Sequence, residues 1–234
     1  MTSEDLKREL SCYADFEKAN LLQRFFKTGK GQYGEGDIFL GVSVSNARKV
    51  AKKFTKLPLS EIKKLLYSRI HGERHCALLV LVDKFAEASD KEKKQIFDFY
   101  IKNAKRVNNW DLVDVSAPKI VGEYLLNKPK GILYKFAVSE NLWEKRISVL
   151  STFTFIKNNK YNDSFKIAKI LMHDEHDLIH KAVGWMLREV GKRSLKDEEK
   201  FLKEYYKKMP RTMLRYSIEK FPEERRIKYL MGNV

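Results

Sequence analysis

Apolar residues recur at three- and four-residue spacing along nearly the whole chain, and strict alternation of apolar and polar residues is almost absent. That spacing places apolar side chains on one face of an α-helix, whereas a half-buried strand needs a period of two. The long exception is "TGKGQYGEGD", residues 28–37, whose four glycines cannot sustain a helix. The pattern therefore predicts an all-α protein with one irregular loop near its amino end.

The helical segments begin after residues that favour helix N-termini, namely small polar residues or proline. The predicted starts follow Ser3, Ser45, Pro58, Ser89, Asn109, Ser139, Asp174 and Pro210. This spacing predicts many helices of moderate length, which must bury their apolar faces against one another.

Five segments of the chain align at a constant interval of 35 residues. Their anchor positions are Ala77, Leu112, Ile147, Ala182 and Ser217. A two-helix unit of about this length is typical of solenoid proteins of the HEAT or armadillo type. The repeat therefore predicts a single domain over residues 1–234, folded as a curved solenoid of HEAT-like helical repeats. An irregular helical bundle is the alternative.

The chain carries 47 lysines and arginines against 31 aspartates and glutamates, which gives a formal net charge of +16. Such an excess creates a positive field that attracts polyanions. In a solenoid, the positions just before the anchors would line one surface, and they are largely polar or basic. Nucleic acid bound through its phosphates is the favoured partner. An acidic membrane surface or a merely solvated basic exterior are the alternatives.

Several other features restrict the class of protein. The two cysteines, Cys12 and Cys76, are too few for a disulfide-rich fold or a four-thiolate metal site. No apolar run approaches the roughly 18–20 residues of a membrane span, and the charged start is unlike a signal peptide. We expect a cytoplasmic monomer that does not engage membranes.

Histidines form two clusters whose spacing can be compared with that of metal sites. His173, His176 and His180 lie together, and the last two have the i, i+4 spacing that could hold zinc. The HExxH glutamate is missing, so capping of the following helix or phosphate binding is favoured. His71 and His75 form a similar pair. We predict neither a metal nor a cofactor.

The segment "NNWDLVD", residues 108–114, places carboxylates beside an indole in this basic chain. On a helix, Trp110 and Asp114 project from nearly the same side, whereas Asp111 is turned about 100° away. Asp111 suits complementation of the helix dipole. For Asp114, one interpretation is a salt bridge to a neighbouring cation. The other is a carboxylate that faces DNA and stabilises positive charge, such as that of an oxocarbenium-like sugar.

Three segments carry a resemblance to a known family: "NNWDLVD" (108–114), "NLWEKRISVL" (141–150) and "IHKAVGWMLREV" (179–190). They resemble, in the same order and at similar separations, segments of the AlkD-type DNA glycosylases. That family has HEAT-like repeats and excises alkylated purines. The similarity extends over most of the chain and includes the early "QYGEGDIFLGV".

The resemblance implies a monofunctional DNA glycosylase that removes cationic N3- and N7-alkylated purines, such as 3-methyladenine and 7-methylguanine, from double-stranded DNA. Asp114 is similar to the catalytic carboxylate of the family. Trp110 and Trp185 resemble the aromatic residues that press on the sugar and phosphate of the damaged nucleotide. Arg146 and Tyr33 resemble DNA contacts.

Three further basic residues lie where they can contact the phosphates of DNA. Arg188 shares a helix face with Trp185 and can hold a phosphate beside the indole, and Lys181 lies one turn earlier. Lys157 lies slightly off the position of a phosphate-binding lysine in the family. Asn109 also departs from the family, since a known member has a second aromatic residue there.

Other interpretations remain open at this stage. Each of Trp110 and Trp185 could instead be a core aromatic, and Trp143 is expected to be one. The alternative function is a HEAT-like protein that binds duplex DNA or acts as a scaffold without catalysis. A scaffold for acidic proteins is a third possibility.

Overall fold

The computed structural model describes residues 1–234, and the all-α prediction is confirmed. Extended pairing is limited to an isolated parallel bridge between Ile38 and Ile70. The α-helices are α1 (Ser3–Ser11), α2 (Phe16–Phe25), α3 (Val44–Lys53), α4 (Leu59–Leu66), α5 (His71–Glu87), α6 (Asp90–Lys102), α7 (Trp110–Ala117), α8 (Glu123–Leu125), α9 (Gly131–Ala137), α10 (Leu142–Lys157), α11 (Asn162–Ile170), α12 (Asp177–Gly191), α13 (Leu195–Tyr205), α14 (Arg211–Ser217) and α15 (Glu223–Met231). Shorter helical segments are of the 3-10 type at Ala104–Arg106 and Ile218–Lys220 and of the π type at Pro118–Gly122.

The chain divides into two compact units, Met1–Ser116 and Ala117–Val234. In the first unit, α5 is the central helix, because α1, α3, α4 and α6 all pack on it. Every residue of α5 from Glu73 to Val82 is buried, so this helix forms the core of the unit. The prediction of a single domain over residues 1–234 stays a prediction.

The second unit shows the predicted repeat. Helices α10, α12 and α14 begin at Leu142, Asp177 and Arg211, so that successive starts are 35 and 34 residues apart. Helix α10 packs on α9, α11 and α12, and α12 packs on α13 and α14. The solenoid prediction is thus confirmed as paired helices at this spacing, while the HEAT assignment stays a prediction.

Four predicted helix starts are confirmed, since helices follow directly after Pro58, Ser89, Asn109 and Pro210. Four others lie within two residues of the prediction, with Thr2, Ser43, Asn141 and His176 as the true caps. Two of these shifts have a clear reason. Ser139 and Asp174 accept hydrogen bonds from the backbone N–H groups of Asn141 and His176, so each forms a turn just before the cap.

Residues 28–37, the glycine-rich loop, contain no helix, as predicted. Gly31 and Gly36 have φ values of +77° and +83°. These values lie in the left-handed region, which residues other than glycine rarely adopt. The loop ends at the buried Asp37, next to the bridge residue Ile38. None of the helices combines the length and apolar character that a membrane span requires.

Candidate active site

The start of α7 is fixed by Asn109, which is fully buried. Its Oδ1 accepts the backbone N–H of the next residue, Trp110, at 2.8 Å, and its backbone carbonyl accepts the N–H of Val113 at 3.1 Å, the first hydrogen bond of the helix. Its Nδ2 donates to Oδ2 of Asp37 at 3.1 Å, and Oδ1 of Asp37 accepts from Nη2 of Arg74 at 2.6 Å. These contacts connect the end of the glycine-rich loop with α5 and with the first residue of α7.

The indole of Trp110 is half-buried in a group of aromatic rings from the first unit. It stacks on Phe26, with ring centroids 5.2 Å apart and planes inclined by 11°. The ring of Phe25 lies edge-on to the indole, with ring centroids 6.2 Å apart. Phe26 is buried, whereas Phe25 is 64% exposed. Neither residue was predicted from the sequence, although two adjacent phenylalanines shortly before a glycine-rich loop are a usable signal.

Asp114 lies one turn after Trp110 on α7 and is half-buried. Its charge acts on the phenol of Tyr100, whose pKa is raised by burial and further by Asp114. The Tyr100 hydroxyl lies 2.9 Å from Oγ of Ser116. A buried hydrogen bond between two hydroxyl groups therefore supports α7 beside the candidate catalytic carboxylate.

Asp111 has a more specific position than the helix dipole alone requires. Its Oδ1 lies 3.0 Å from Nε2 of His71 and also accepts the backbone N–H of Leu112. Burial raises the pKa of Asp111, but the hydrogen bond with His71 and the charges of His71 and His75 lower it more, so the net shift is downward. Asp111 thus connects α7 to α5 as a carboxylate.

His75, which is buried beside His71, gives a prediction for pH dependence. Burial lowers the pKa of His75 from 6.5 to about 4, so the unfolded chain binds this proton at a higher pH than the folded protein. Stability is therefore complete above pH 6.5 and falls as the pH drops from 6.5 towards 4, by about 3 kcal/mol from this group. Urea unfolding at pH 7 and pH 4.5 measures the effect.

The variant His75→Leu should lose this component of the pH dependence, whereas His173→Leu, at an exposed histidine, should keep it. If the parent and His75→Leu lost the same free energy of unfolding between pH 7 and pH 4.5, the assignment to His75 would be contradicted.

In the second unit, Trp185 is half-buried and its Nε1 donates to Oε1 of Glu189 at 3.1 Å. Glu189 is buried and also accepts from Nζ of Lys192 at 2.6 Å. The ring of Phe153 lies 5.9 Å from the indole, and Nζ of Lys157 lies 4.4 Å from the centroid of Phe153. The predicted residues Trp185 and Lys157 therefore belong to one cluster, with Phe153 between them.

The other predicted DNA contacts already have protein partners. Lys181 pairs with Asp177 at 2.7 Å, and Arg188 pairs with Glu219. Arg146 is only 5% exposed, and its Nη1 donates to the carbonyl of Leu178 at 2.7 Å, which ties α10 to α12. A phosphate bound at Lys181 or Arg188 would replace a carboxylate. Tyr33 is half-buried in the glycine-rich loop. Contacts of all four side chains with DNA stay predictions.

The second histidine cluster along the chain makes hydrogen bonds to neighbouring groups of the protein. His176 caps α12, with its Nδ1 accepting the backbone N–H of Leu178 at 3.1 Å, and His180 hydrogen-bonds the carbonyl of Asp174. The capping interpretation is confirmed for His176. No group of three or more His, Cys, Asp or Glu side chains has an arrangement that could hold a metal ion. Trp143 is buried, so the prediction of a core residue is confirmed.

The fold and these clusters define a class: an all-α protein of paired helices with a carboxylate and an indole on one short helix and a basic, aromatic cluster around a second indole. The family model described as "DNA alkylation repair enzyme" matches residues 6–221. The chain therefore belongs to the DNA alkylation repair enzyme family, whose role in the repair of alkylated DNA implies binding to DNA.

A solved structure shows the same fold. It comes from Enterococcus faecalis and is described as a predicted DNA alkylation repair enzyme. Its TM-score is 0.72 at 18% sequence identity, over 90% of this chain and 97% of that chain. No curated protein matches the chain significantly.

Proposed function

We propose that this protein is a DNA glycosylase that hydrolyses the N-glycosidic bond of cationic N3- and N7-alkylated purines in double-stranded DNA, as the first step of base excision repair. Asp114 is the proposed catalytic carboxylate, and 3-methyladenine and 7-methylguanine are the proposed released bases. The observation that carries the proposal is a half-buried carboxylate one turn from a half-buried indole, in a basic chain of the alkylation repair family.

The proposed chemistry places few acid–base demands on the protein. Alkylation at N3 or N7 leaves the purine ring positively charged. When the bond from C1′ to nitrogen breaks, the purine takes both electrons and departs as a neutral molecule, so no general acid is needed. Water then adds to C1′ and releases a proton. The proposed reaction requires neither a metal nor a cofactor, and the protein has to stabilise the sugar cation and position the water.

A carboxylate provides the right stabilisation for that cation. At about 4 Å from a positive sugar, it contributes roughly 4 kcal/mol at an effective dielectric of about 20, or close to a thousandfold in rate. The faces of Trp110 and Trp185 are electron-rich and favour the same charge. We assign phosphate contacts to Arg146, Tyr33, Lys157, Lys181 and Arg188. These roles, like action as a monomer, are part of the proposal.

The direct test is incubation of the protein with methylated duplex DNA, followed by chromatography of the released bases. Free 3-methyladenine or 7-methylguanine is expected, together with abasic sites in the DNA. An intact substrate that remains tightly bound would contradict the enzymatic proposal and favour a non-catalytic DNA-binding protein.

Phe25 offers a test of the aromatic surface around Trp110. Because its ring is exposed and touches Trp110, we expect it to contact the damaged nucleotide. Base or sugar contact with an aromatic ring contributes about 1–3 kcal/mol, so Phe25→Ala should weaken binding of alkylated DNA by about 5- to 150-fold. Fluorescence anisotropy with labelled duplex measures it.

The matched control is Phe16→Ala, since Phe16 lies on the same helix and is even more exposed at 82%. Equal losses for both variants would indicate a general effect of α2 and not a contact at Phe25.

A further inference from the structure

The buried charges at the end of the glycine-rich loop have no part in the proposed chemistry, and yet they touch the helix that performs it. We use the name Asp37 hub for the three residues Asp37, Arg74 and Asn109. Their exposed fractions are 6%, 2% and 0%. All three are buried, and none of them is among the proposed DNA contacts. Asn109 directly precedes Trp110, so the hub contacts the first turn of the helix that carries Asp114.

Asp37 joins three helices, two through its carboxylate and one through its backbone carbonyl. Oδ1 of Asp37 accepts from Arg74 on α5, whose Nη1 also donates to the carbonyl of Ser68 at 3.0 Å. Oδ2 of Asp37 accepts from Asn109, the cap of α7. The backbone carbonyl of Asp37 accepts from Nε2 of Gln23 on α2, at 2.7 Å. The helix that carries Phe25 and the helix that carries Trp110 are thus fixed to the same residue.

A buried ion pair contributes little net stability, because removing both charges from water offsets most of their attraction. Directional contacts are what it provides. Asn109 donates its amide N–H to Asp37 and holds the backbone of Trp110 with its amide oxygen, so the orientation of the first turn of α7 depends on the hub. Asp114 lies only one turn further along the same short helix.

We propose that the Asp37 hub is a positioning device for the site: Asn109, held by Asp37 and Arg74, sets the orientation of Trp110 and of Asp114 relative to the bound nucleotide. The inference rests on the proposed glycosylase function. Asn109, Asp37 and Arg74 are positioning residues and not catalytic ones, because they act through Trp110 and Asp114 and not on the reacting atoms.

Two variants of Asn109 separate capping from positioning. In Asn109→Ser, the hydroxyl can still cap the first turn of α7 but is too short to reach Asp37. In Asn109→Asp, a second carboxylate faces Asp37 in a buried site. Because a small misplacement of reacting groups can cost about a hundredfold in rate, both variants should lower the single-turnover rate of base release, by up to about 10²-fold, with little change in DNA affinity.

The charge swap Asn109→Asp with Asp37→Asn provides the rescue. The carboxylate introduced at position 109 would then cap Trp110 and accept from the amide introduced at position 37. The oxygen of that amide would accept from Arg74, so every hydrogen bond of the hub returns. We expect the double variant to regain most of the rate that Asn109→Asp loses. A merely structural role predicts rates that follow the folded fraction instead, which urea unfolding of each variant measures.

A second readout makes the test independent of activity. In a Trp143→Phe, Trp185→Phe background, Trp110 is the single tryptophan, and its emission reports its surroundings. Emission should shift in Asn109→Ser and in Asn109→Asp and return in the swap. Ser3→Ala is the control, since it removes a hydrogen bond of another buried side chain in the same unit, from Oγ of Ser3 to Glu61 at 2.7 Å. It should change stability and neither readout.

The outcomes separate the two proposals. A parent protein that releases no base from methylated DNA overturns the proposed function, and the emission of Trp110 then decides on the hub. An active parent with Asn109 variants that keep its rate and its emission overturns the hub alone. A folded charge-swap variant that stays as slow as Asn109→Asp also overturns it.

Discussion

Asp114→Asn is expected to reduce the rate of base release by about a thousandfold while DNA binding stays equal or becomes tighter. The amide keeps the shape of the side chain but loses the charge that stabilises the sugar cation. It also loses the repulsion between this carboxylate and the phosphates of DNA. Single-turnover release of 7-methylguanine and titration with labelled duplex measure the two effects separately.

Asp98→Asn is the control for Asp114→Asn. Asp98 is an exposed carboxylate of the same unit, on α6, and it forms an ion pair with Lys94. Its replacement should leave base release and binding unchanged. An Asp114→Asn variant with the parental rate would contradict the assignment of the catalytic carboxylate, and one that loses DNA binding along with activity would assign Asp114 to binding.

The fold was predictable because its main determinant is periodic. The 35-residue spacing of Leu112, Ile147 and Ala182 reflects buried positions of successive helices, and all three are buried in the structure. The glycine-rich loop was equally clear from composition, since its left-handed glycines exclude a regular helix. Periodic and compositional signals of this kind can be read along a single chain without knowing which residues meet in space.

The missing parts of the site depend on contacts between residues far apart in sequence. Phe25 contacts Trp110 across 85 positions, and Asn109 hydrogen-bonds Asp37 across 72. In the sequence, Asn109 stands out only as a departure from the family, because a buried asparagine has no local signature. Its importance follows from a carboxylate that the sequence places in an irregular loop.

The ion-pair partners of the predicted DNA-binding cations also could not be predicted from neighbouring residues in the sequence. Arg188 and Glu219 are 31 positions apart and meet because α12 packs on α14. The three-residue spacing correctly placed Arg188 on the same helix face as Trp185. It could not show that the guanidinium of Arg188 already forms an ion pair with the carboxylate of Glu219. The charge of a residue is thus a weak guide to its availability for phosphate.

The packing of α12 on α14 gives the second large expected effect, at Gly184, the residue before Trp185. A Cβ atom there would lie 2.5 Å from the carbonyl oxygen of Met213 and 2.6 Å from Cβ of Tyr216. Neither atom is the end of a flexible side chain, so α14 itself must shift. Gly184→Ala should therefore lower the free energy of unfolding by about 2–3 kcal/mol, despite the better helix propensity of alanine.

Gly131→Ala is the matched control for Gly184→Ala, because Gly131 begins α9 and a Cβ there meets no atom within 4 Å. With no contact to disturb, alanine restricts only the unfolded chain and should raise the free energy of unfolding by about 0.4–1 kcal/mol. Urea unfolding followed by circular dichroism compares the two variants with the parent. Opposite signs are expected, and a Gly184→Ala protein as stable as Gly131→Ala would show that α12 and α14 do not pack as closely in solution.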